Sequence, residues 1–374
     1  MYNQLTTVPM KKALLFSAAL AVMALVSCNS EIGADVPQPG DPVEVNVVIK
    51  GAPGTRVTGL TNQEGRNDSA SEAKVDSLQV FVFNGNEREA YRKVKNALSV
   101  LVPATSGERS VWAIVNAPDL DGVMTLIDLQ SAVTNLADNK TDSFVMTGSV
   151  SQELTDGGQV PITVKRIVSR VSINKISTDL KDYRASYSVN VRAIYLINVA
   201  GNNNYGLNGT TSLWVNKLRH EDTGFDSMLY DELTAVVVKN SVYAADGSLE
   251  TDNSYRNEHV FYPYPNTFGT DVEGSNPDYS DTWTPRGTIL VVEATMLDGN
   301  GEPIVIRDAT GQTVGYYPVV LPRLERNKTY IIEELCITRL PGTDPYKPIE
   351  TGETQVTISV ADWDLGLNLG TIRI

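Results

Sequence analysis

The chain has 374 residues, 41% of them hydrophobic, enough to bury one large core or two moderate ones. Its 45 acidic residues outnumber 31 basic ones, and the net charge of −14 argues against nucleic acid and anionic membrane surfaces as partners. With two cysteines, Cys28 and Cys336, it is not built on a disulfide framework.

The N-terminus is a targeting segment. Met10-Lys11-Lys12 supplies a basic start, with Met1 and Met10 as alternative initiators, and Ala13 to Val26 is an apolar run too short to span a bilayer comfortably. It closes on Leu25-Val26-Ser27-Cys28, the pattern of a bacterial lipoprotein signal in which the Cys28 thiol takes up lipid and becomes the new N-terminus. Cys336 is then expected to be a buried, unpaired thiol. Asn29 to Pro42 is polar with three prolines and suits a tether between lipid and folded body.

The first strand follows. Val43, Val45, Val47 and Ile49 share one parity with Glu44 and Asn46 between them, the period of a half-buried strand. A Gly/Pro loop containing Arg56 comes next, then a second strand in Val75 to Phe83 that ends at the turn signal Asn84-Gly85. Arg109 to Ala117 reads as a third strand, stopped by Pro118. Two stretches are expected to be amphipathic helices covering a sheet face: Glu87 to Val100, and Val123 to Ala137, where Leu126, Leu129, Val133 and Leu136 recur at helical spacing. From Gly157 onward the periodic segments favour β: Gly157 to Ile176, Ser186 to Ala200, Thr234 to Ala245, Gly287 to Leu297, Glu302 to Asp308, Gly315 to Pro322, Lys328 to Leu340 and Thr354 to Ile374. Loops rich in Asn, Asp, Gly, Pro and aromatics, Gly201 to Thr211 and Thr251 to Thr284, are expected at the surface. The fold class is therefore mainly β and sandwich-like with a few short helices, with a domain boundary near residues 155 to 165.

No catalytic, metal or cofactor constellation stands out. His220 and His259 are in no ligand spacing and read as loop or surface residues. Asp119, Asp121 and Asp364 read as turn and edge residues, and Pro118 to Gly122 lacks the further ligands of a calcium loop. No glycine-rich phosphate loop is present. The aromatic run His259 to Phe268 offers either an ordered loop or a platform for a glycan or protein partner.

Several of these segments resemble one family, the major fimbrial subunits or fimbrillins of Bacteroidales (FimA-like type V pilins). The lipoprotein signal and tether come first. Val45 to Val57 then resembles the family's first strand and its arginine-containing cleavage loop, and Lys74 to Ala90 its K-x-x-x-L-x-V-x-V-Y-N-G strand and turn. Arg166 to Ile176 is similar to the basic strand that opens the family's second domain, Leu324 to Ile332 to its I-E-R-N-H-x-Y-x-I block, and Thr357 to Leu365 to its V-x-V-A-x-W ending.

The resemblance implies two transthyretin-like β-sandwich domains, divided as signal peptide 1–28, tether and removable first strand 29–56, N-terminal domain 57–160 and C-terminal domain 161–374. It implies a non-enzymatic chain without cofactors, exported as an outer-membrane lipoprotein. An arginine-specific protease cuts it between Arg56 and Val57, with Lys50 and Arg66 as competing basic positions, and copies of the chain and minor subunits then polymerise head to tail into an adhesive surface fimbrium. The removable strand carries Val43, Val45, Val47 and Ile49. The candidate donor strands, which also fit as ordinary sheet strands of the C-terminal domain, carry Val356, Ile358 and Val360 or Leu365, Leu367 and Leu369. Alternatives are a minor tip or anchor subunit, or a monomeric surface lipoprotein binding glycans or peptides through His259 to Phe268. A host or bacterial receptor is a further expected partner.

Overall fold

The alternation of β1, Pro42–Lys50, is realised residue by residue: Val43, Val45, Val47 and Ile49 point inward and Glu44, Asn46, Val48 and Lys50 outward. The computed structural model describes residues 40–50, 72, 74–206, 211–217, 225–268, 285–307, 311, 313–346, 359–362 and 371–373. All of these belong to a unit running from Pro39 to Ile374.

Next come β2, Ser77–Asn84, and β3, Glu87–Lys95, joined by a tight turn at which Gly85 takes a left-handed φ of 59°. They are followed by β4, Ser99–Thr105, and β5, Gly107–Val115. A short helix α1, Leu126–Ser131, a short strand β6, Val133–Asn135, and then β7, Met146–Leu154, β8, Gln159–Thr163, and β9, Lys165–Arg166, complete this half. Two sheets result, a three-stranded one of order β4-β1-β8 and a five-stranded one of order β3-β2-β5-β7-β9. Leu78, Val80 and Val82 of β2, Val111, Ala113 and Val115 of β5 and Met146 of β7 meet the inward side chains of β1 in one apolar core. The opposite face of the larger sheet, with Phe81, Phe83 and Ile114, enters a second and larger core. That explains why β2 is buried at every position from Leu78 to Phe83.

The chain continues with β10, Arg170–Ile173, β11, Ile176–Thr178, β12, Ser188–Ile197, and the short strands β13, Val199–Ala200, β14, Asn202–Asn204, and β15, Trp214–Val215. A single helical turn α2, Asp226–Leu229, leads into β16, Tyr230–Lys239, followed by β17, Val242–Tyr243, β18, Leu249–Thr251, and β19, His259–Phe261. Last are β20, Ile289–Leu297, β21, Tyr316–Val320, β22, Lys328–Ile332, β23, Glu334–Ile337, β24, Ser359–Asp362, and β25, Thr371–Arg373. The main sheets here have orders β19-β10-β22-β24, β11-β23-β25 and β16-β12-β20-β21. A bulge between Val191 and Ala193 turns Arg192 to solvent while the rest of β12 stays largely in the core.

The mainly β class with few short helices is borne out, and four expectations are corrected. Glu87 to Val100 is not a helix. Its helix-forming residues make β3 and the start of β4, because the Asn84-Gly85 turn pairs β3 with β2 from Ser77↔Lys95 onward. As the outer strand of its sheet, β3 carries charges that protect an exposed edge, and pairing overrides propensity. The Val123 to Ala137 helix shrinks to α1. The Thr125 hydroxyl caps its start by accepting from the Asp128 N–H at 3.0 Å, and after Ala132 the chain leaves to pair β6 with β14. Of the expected stripe, Leu129 and Leu136 reach the core but Val133 faces out. Glu302 to Arg307 forms only isolated bridges, Leu297↔Pro303 and Arg307↔Thr313, and no strand. Finally, parts of the two loops expected at the surface are core: Tyr205, Phe261, Tyr262 and Tyr264 are all buried.

Candidate functional site

The first strand has two neighbours. It pairs antiparallel with β4 from Pro42↔Thr105 to Val48↔Ser99, and parallel with β8 from Asn46↔Gln159 to Lys50↔Thr163. The first described strand thus occupies the centre of its sheet. Val45 and Val47 are fully buried, between Val102 and Val100 on one side and, at Val47, Val160 on the other. Its four inward side chains stabilise the fold by about 1.5–3 kcal/mol each, so the strand is worth about 6–12 kcal/mol of apolar burial before the ordering of its backbone is subtracted.

Contacts beyond the ladders fasten both ends. At the start, Ser106 accepts the Asp41 N–H on its hydroxyl at 2.9 Å and donates its own N–H to the Asp41 carbonyl at 2.8 Å. Gly40 lies so close that a Cβ would stand 2.1 Å from the Ser106 carbonyl oxygen. At the far end the Val164 N–H donates to the Lys50 carbonyl at 3.0 Å. Were β1 withdrawn, β4 and β8 would lose their common neighbour and each would present a row of unpaired backbone groups flanking an apolar floor.

The chain re-enters the described structure at Glu72, and this residue is held in a buried ionic cluster. Its carboxylate faces the Arg170 Nε at 3.5 Å and accepts from the Tyr262 hydroxyl, and its carbonyl accepts from the Arg166 Nε at 2.9 Å. Arg170 also donates to Glu258 at 2.9 Å. Burial opposes the Arg170 charge, but the Glu258 and Glu72 carboxylates more than offset it and hold the guanidinium above its ordinary range. Burial, with Glu72 beside it, likewise pushes the Tyr262 phenol up. Nearby, Arg326 donates to the carbonyls of Thr147, Lys165 and Arg166, and Asn327 accepts the Arg166 N–H at 3.1 Å. Burial lowers the Arg326 guanidinium to about 10. The Leu324 to Ile332 block therefore ties the later sheets to the ends of β7 and β9.

Of the candidate donor residues, Val360 lies in β24, which among the described residues is the outer strand of its sheet and pairs with β22 through four register partners from Lys328↔Asp362 to Ile331↔Ser359. The last strand, β25, is likewise an outer strand, with three register partners on β23, among them Cys336↔Arg373. Cys336 itself is buried, as expected. Cys28, Arg56, Val57, Arg66, His220, Val356, Ile358, Asp364, Leu365, Leu367 and Leu369 lie outside the described residues.

His259 is a correction. It is buried in β19, with Nδ1 2.6 Å from an Asp231 carboxylate oxygen and Nε2 3.1 Å from the Tyr255 hydroxyl. The aromatic platform is a second one. The Tyr264 hydroxyl donates to the Asn135 carbonyl at 2.8 Å, and Phe261 and Tyr262 are core residues, so this run holds the fold together and presents no aromatic surface apart from the half-exposed Phe268. Asp119 behaves as read, accepting from Tyr91 at 3.0 Å and pairing with Lys93 at 3.3 Å. Among the described residues no three His, Cys, Asp or Glu side chains are grouped to hold a metal. The sequence reading missed β7, the Glu72 cluster and the turn after β7; two arginines, Arg166 and Arg170, inside an otherwise apolar run were the available signal for buried ion pairing.

The chain is similar to several known proteins. The model of the family described as Major fimbrial subunit protein (FimA) matches residues 43–217, beginning at the first inward valine of β1. A major fimbrium subunit FimA type-2 of Porphyromonas gingivalis is 24% identical across 95% of this chain and 98% of its own length. A fimbrium tip subunit, Fim1C, of Parabacteroides distasonis is 26% identical over 64% of this chain and 72% of its own. Among solved structures, a fimbrilin from Porphyromonas gingivalis W83 superposes with a TM-score of 0.54 at 18% identity, covering 88% of this chain and 96% of that one. A cell adhesion protein from Parabacteroides distasonis superposes at 0.56, also at 18% identity, over 87% and 98%.

Proposed function

With its resemblance to the major fimbrial subunits borne out in sequence and in fold, we propose that this chain is a structural pilin of the fimbrial stalk, assembled at the cell surface by replacement of its first strand. The matched family is one of structural fimbrial subunits, and the chain runs nearly the full length of the FimA relative. In this reading Cys28 anchors the precursor to the outer membrane by lipid, and an arginine-specific protease cuts after Arg56. Residues 57–160 then accept a strand from another copy, and residues 161–374 donate one.

The observation that carries the proposal is the position of β1. It is central in its sheet, and along the chain it is joined to the strands it pairs with through residues 51–71, so one cut between Lys50 and Glu72 would separate it covalently from them. The vacated site is an apolar groove with two unpaired edges, the setting in which strand addition is most favourable. The C-terminal strands differ in a way that supports their role as donors. β24 and β25 are outer strands with one ladder each, so either can leave its own sheet at far lower cost than β1 can leave two. Val360 in β24, with Val356 and Ile358 before it, repeats the valine and isoleucine alternation of β1.

Replacing Arg56 with Ala tests the reading. The expected result is a surface chain that keeps its lipidated N-terminus and forms no fibre; normal processing and normal polymers would refute the assignment. The match to Fim1C supports a second reading, a minor tip subunit. A stalk subunit both accepts and donates, whereas a tip subunit does one of these, so purified cleaved chain that grows beyond dimers identifies the stalk.

A further inference from the structure

The ladder between β1 and β8 begins only at Asn46↔Gln159, whereas β1 has been paired with β4 since Pro42↔Thr105. On the β8 side the first half of β1 would therefore run unpartnered. The turn between β7 and β8 fills that gap. The Asp156 carboxylate accepts the Glu44 N–H at 3.0 Å, the Gly157 N–H donates to the Glu44 carbonyl at 3.0 Å, and the Gly158 carbonyl accepts the Asn46 N–H at 2.9 Å. The turn is closed by the Gly158 N–H donating to the Thr155 carbonyl at 3.0 Å. Gly157 sits at a φ of 70°, where any side chain is strained even though a Cβ there would meet nothing within 4 Å.

All three contacts go to the backbone of the strand in the groove. They do not depend on what side chains it carries, provided that it runs as β1 does and has an N–H where Glu44 has one. We infer that Asp156, with Gly157 and Gly158, is the docking point for the backbone of the strand that replaces β1, the C-terminal segment of a second copy. This rests on the strand-replacement reading above.

Two observations fit it. Asp156 is exposed while the inward valines of β1 are buried, so the turn is the part of the groove a new chain reaches as soon as Glu44 lets go. Residues 353–374 contain no proline, so every one of them offers the N–H the turn requires. A carboxylate accepting a backbone N–H is stronger than a neutral acceptor, and here it replaces the ladder that β8 does not supply.

The test uses the full chain cleaved after Arg56 and a labelled peptide of residues 353–374. Asp156→Ala is expected to weaken peptide binding about tenfold, and Asp156→Asn, which keeps an acceptor oxygen, much less. A series of peptides, each N-methylated at one residue, should contain one whose loss against the wild type disappears in Asp156→Ala, because both changes remove the same hydrogen bond. Equal binding by Asp156→Ala and the wild type, or N-methyl losses that are the same in both, would overturn the docking assignment alone. Failure of the peptide to enter the wild-type groove would overturn strand replacement and the docking point with it.

Discussion

A single aspartate at Val47 is expected to abolish folding of the half of the chain built around β1. Val47 is fully buried at the centre of β1, with Val100 and Val160 as its register partners. The substitution forfeits about 1.5–3 kcal/mol of apolar burial and places a carboxylate where its neighbours offer no polar side chain, which costs several kcal/mol more. The sum is comparable with the whole stability of an ordinary domain, about 5–15 kcal/mol. Urea unfolding of the chain from Pro39 to Ile374 reads the effect. Val48→Asp is the internal control, because Val48 is a half-buried, outward-facing residue on the same strand and its replacement should cost only about 1 kcal/mol. Similar losses in both variants would mean that β1 is not seated as described.

Arg170→Met is expected to be the most damaging change away from the groove. Arg170 is 4% exposed and lies between the side chains of Glu72 and Glu258, themselves 8% and 6% exposed. Methionine fills similar volume but removes the cation that lies between two buried carboxylates, and breaking such a cluster costs about 3–5 kcal/mol. Thermal unfolding measures it, and the cluster account adds a signature: Glu258→Gln in the Arg170→Met background should recover part of the loss, because it removes one of the stranded charges. Strict additivity of the two changes would show that the arginine and the glutamate do not act together. Through Glu72 the cluster fixes the chain ahead of β2 to β10 and Tyr262.

The strands that alternate cleanly were legible from the sequence, β1 above all, because one face meets the core and the other meets water. β2 was found through its apolar run and its Asn84-Gly85 turn. β3 was not, since an outer strand made of Glu, Arg and Lys carries the composition of a helix, and only pairing across the turn decides otherwise. β7, Met146–Leu154, was overlooked for a related reason. Its middle is Gly-Ser-Val-Ser-Gln, and Gly148 is there because β7 passes so near the Thr163 carbonyl that a Cβ would lie 2.2 Å from its oxygen. His259 and Tyr264 looked like loop residues among prolines, but their partners Asp231, Tyr255 and Asn135 are distant or separated by turns, which no local pattern reveals.

The same limit applies to the site. The four inward residues of β1 could be picked out locally. The two ladders that make β1 central, the Glu72 to Arg170 pairing across 98 residues of chain, and the Asp156 contact to Glu44 across 112 are properties of the folded topology.

The most direct test of the central claim is the N-terminal sequence of the chains in fibres sheared from cells. Removal of β1 predicts that they begin at Val57, with Val43 to Ile49 absent from the polymer. Fibres whose chains begin at an acylated Cys28 and retain β1 would contradict it.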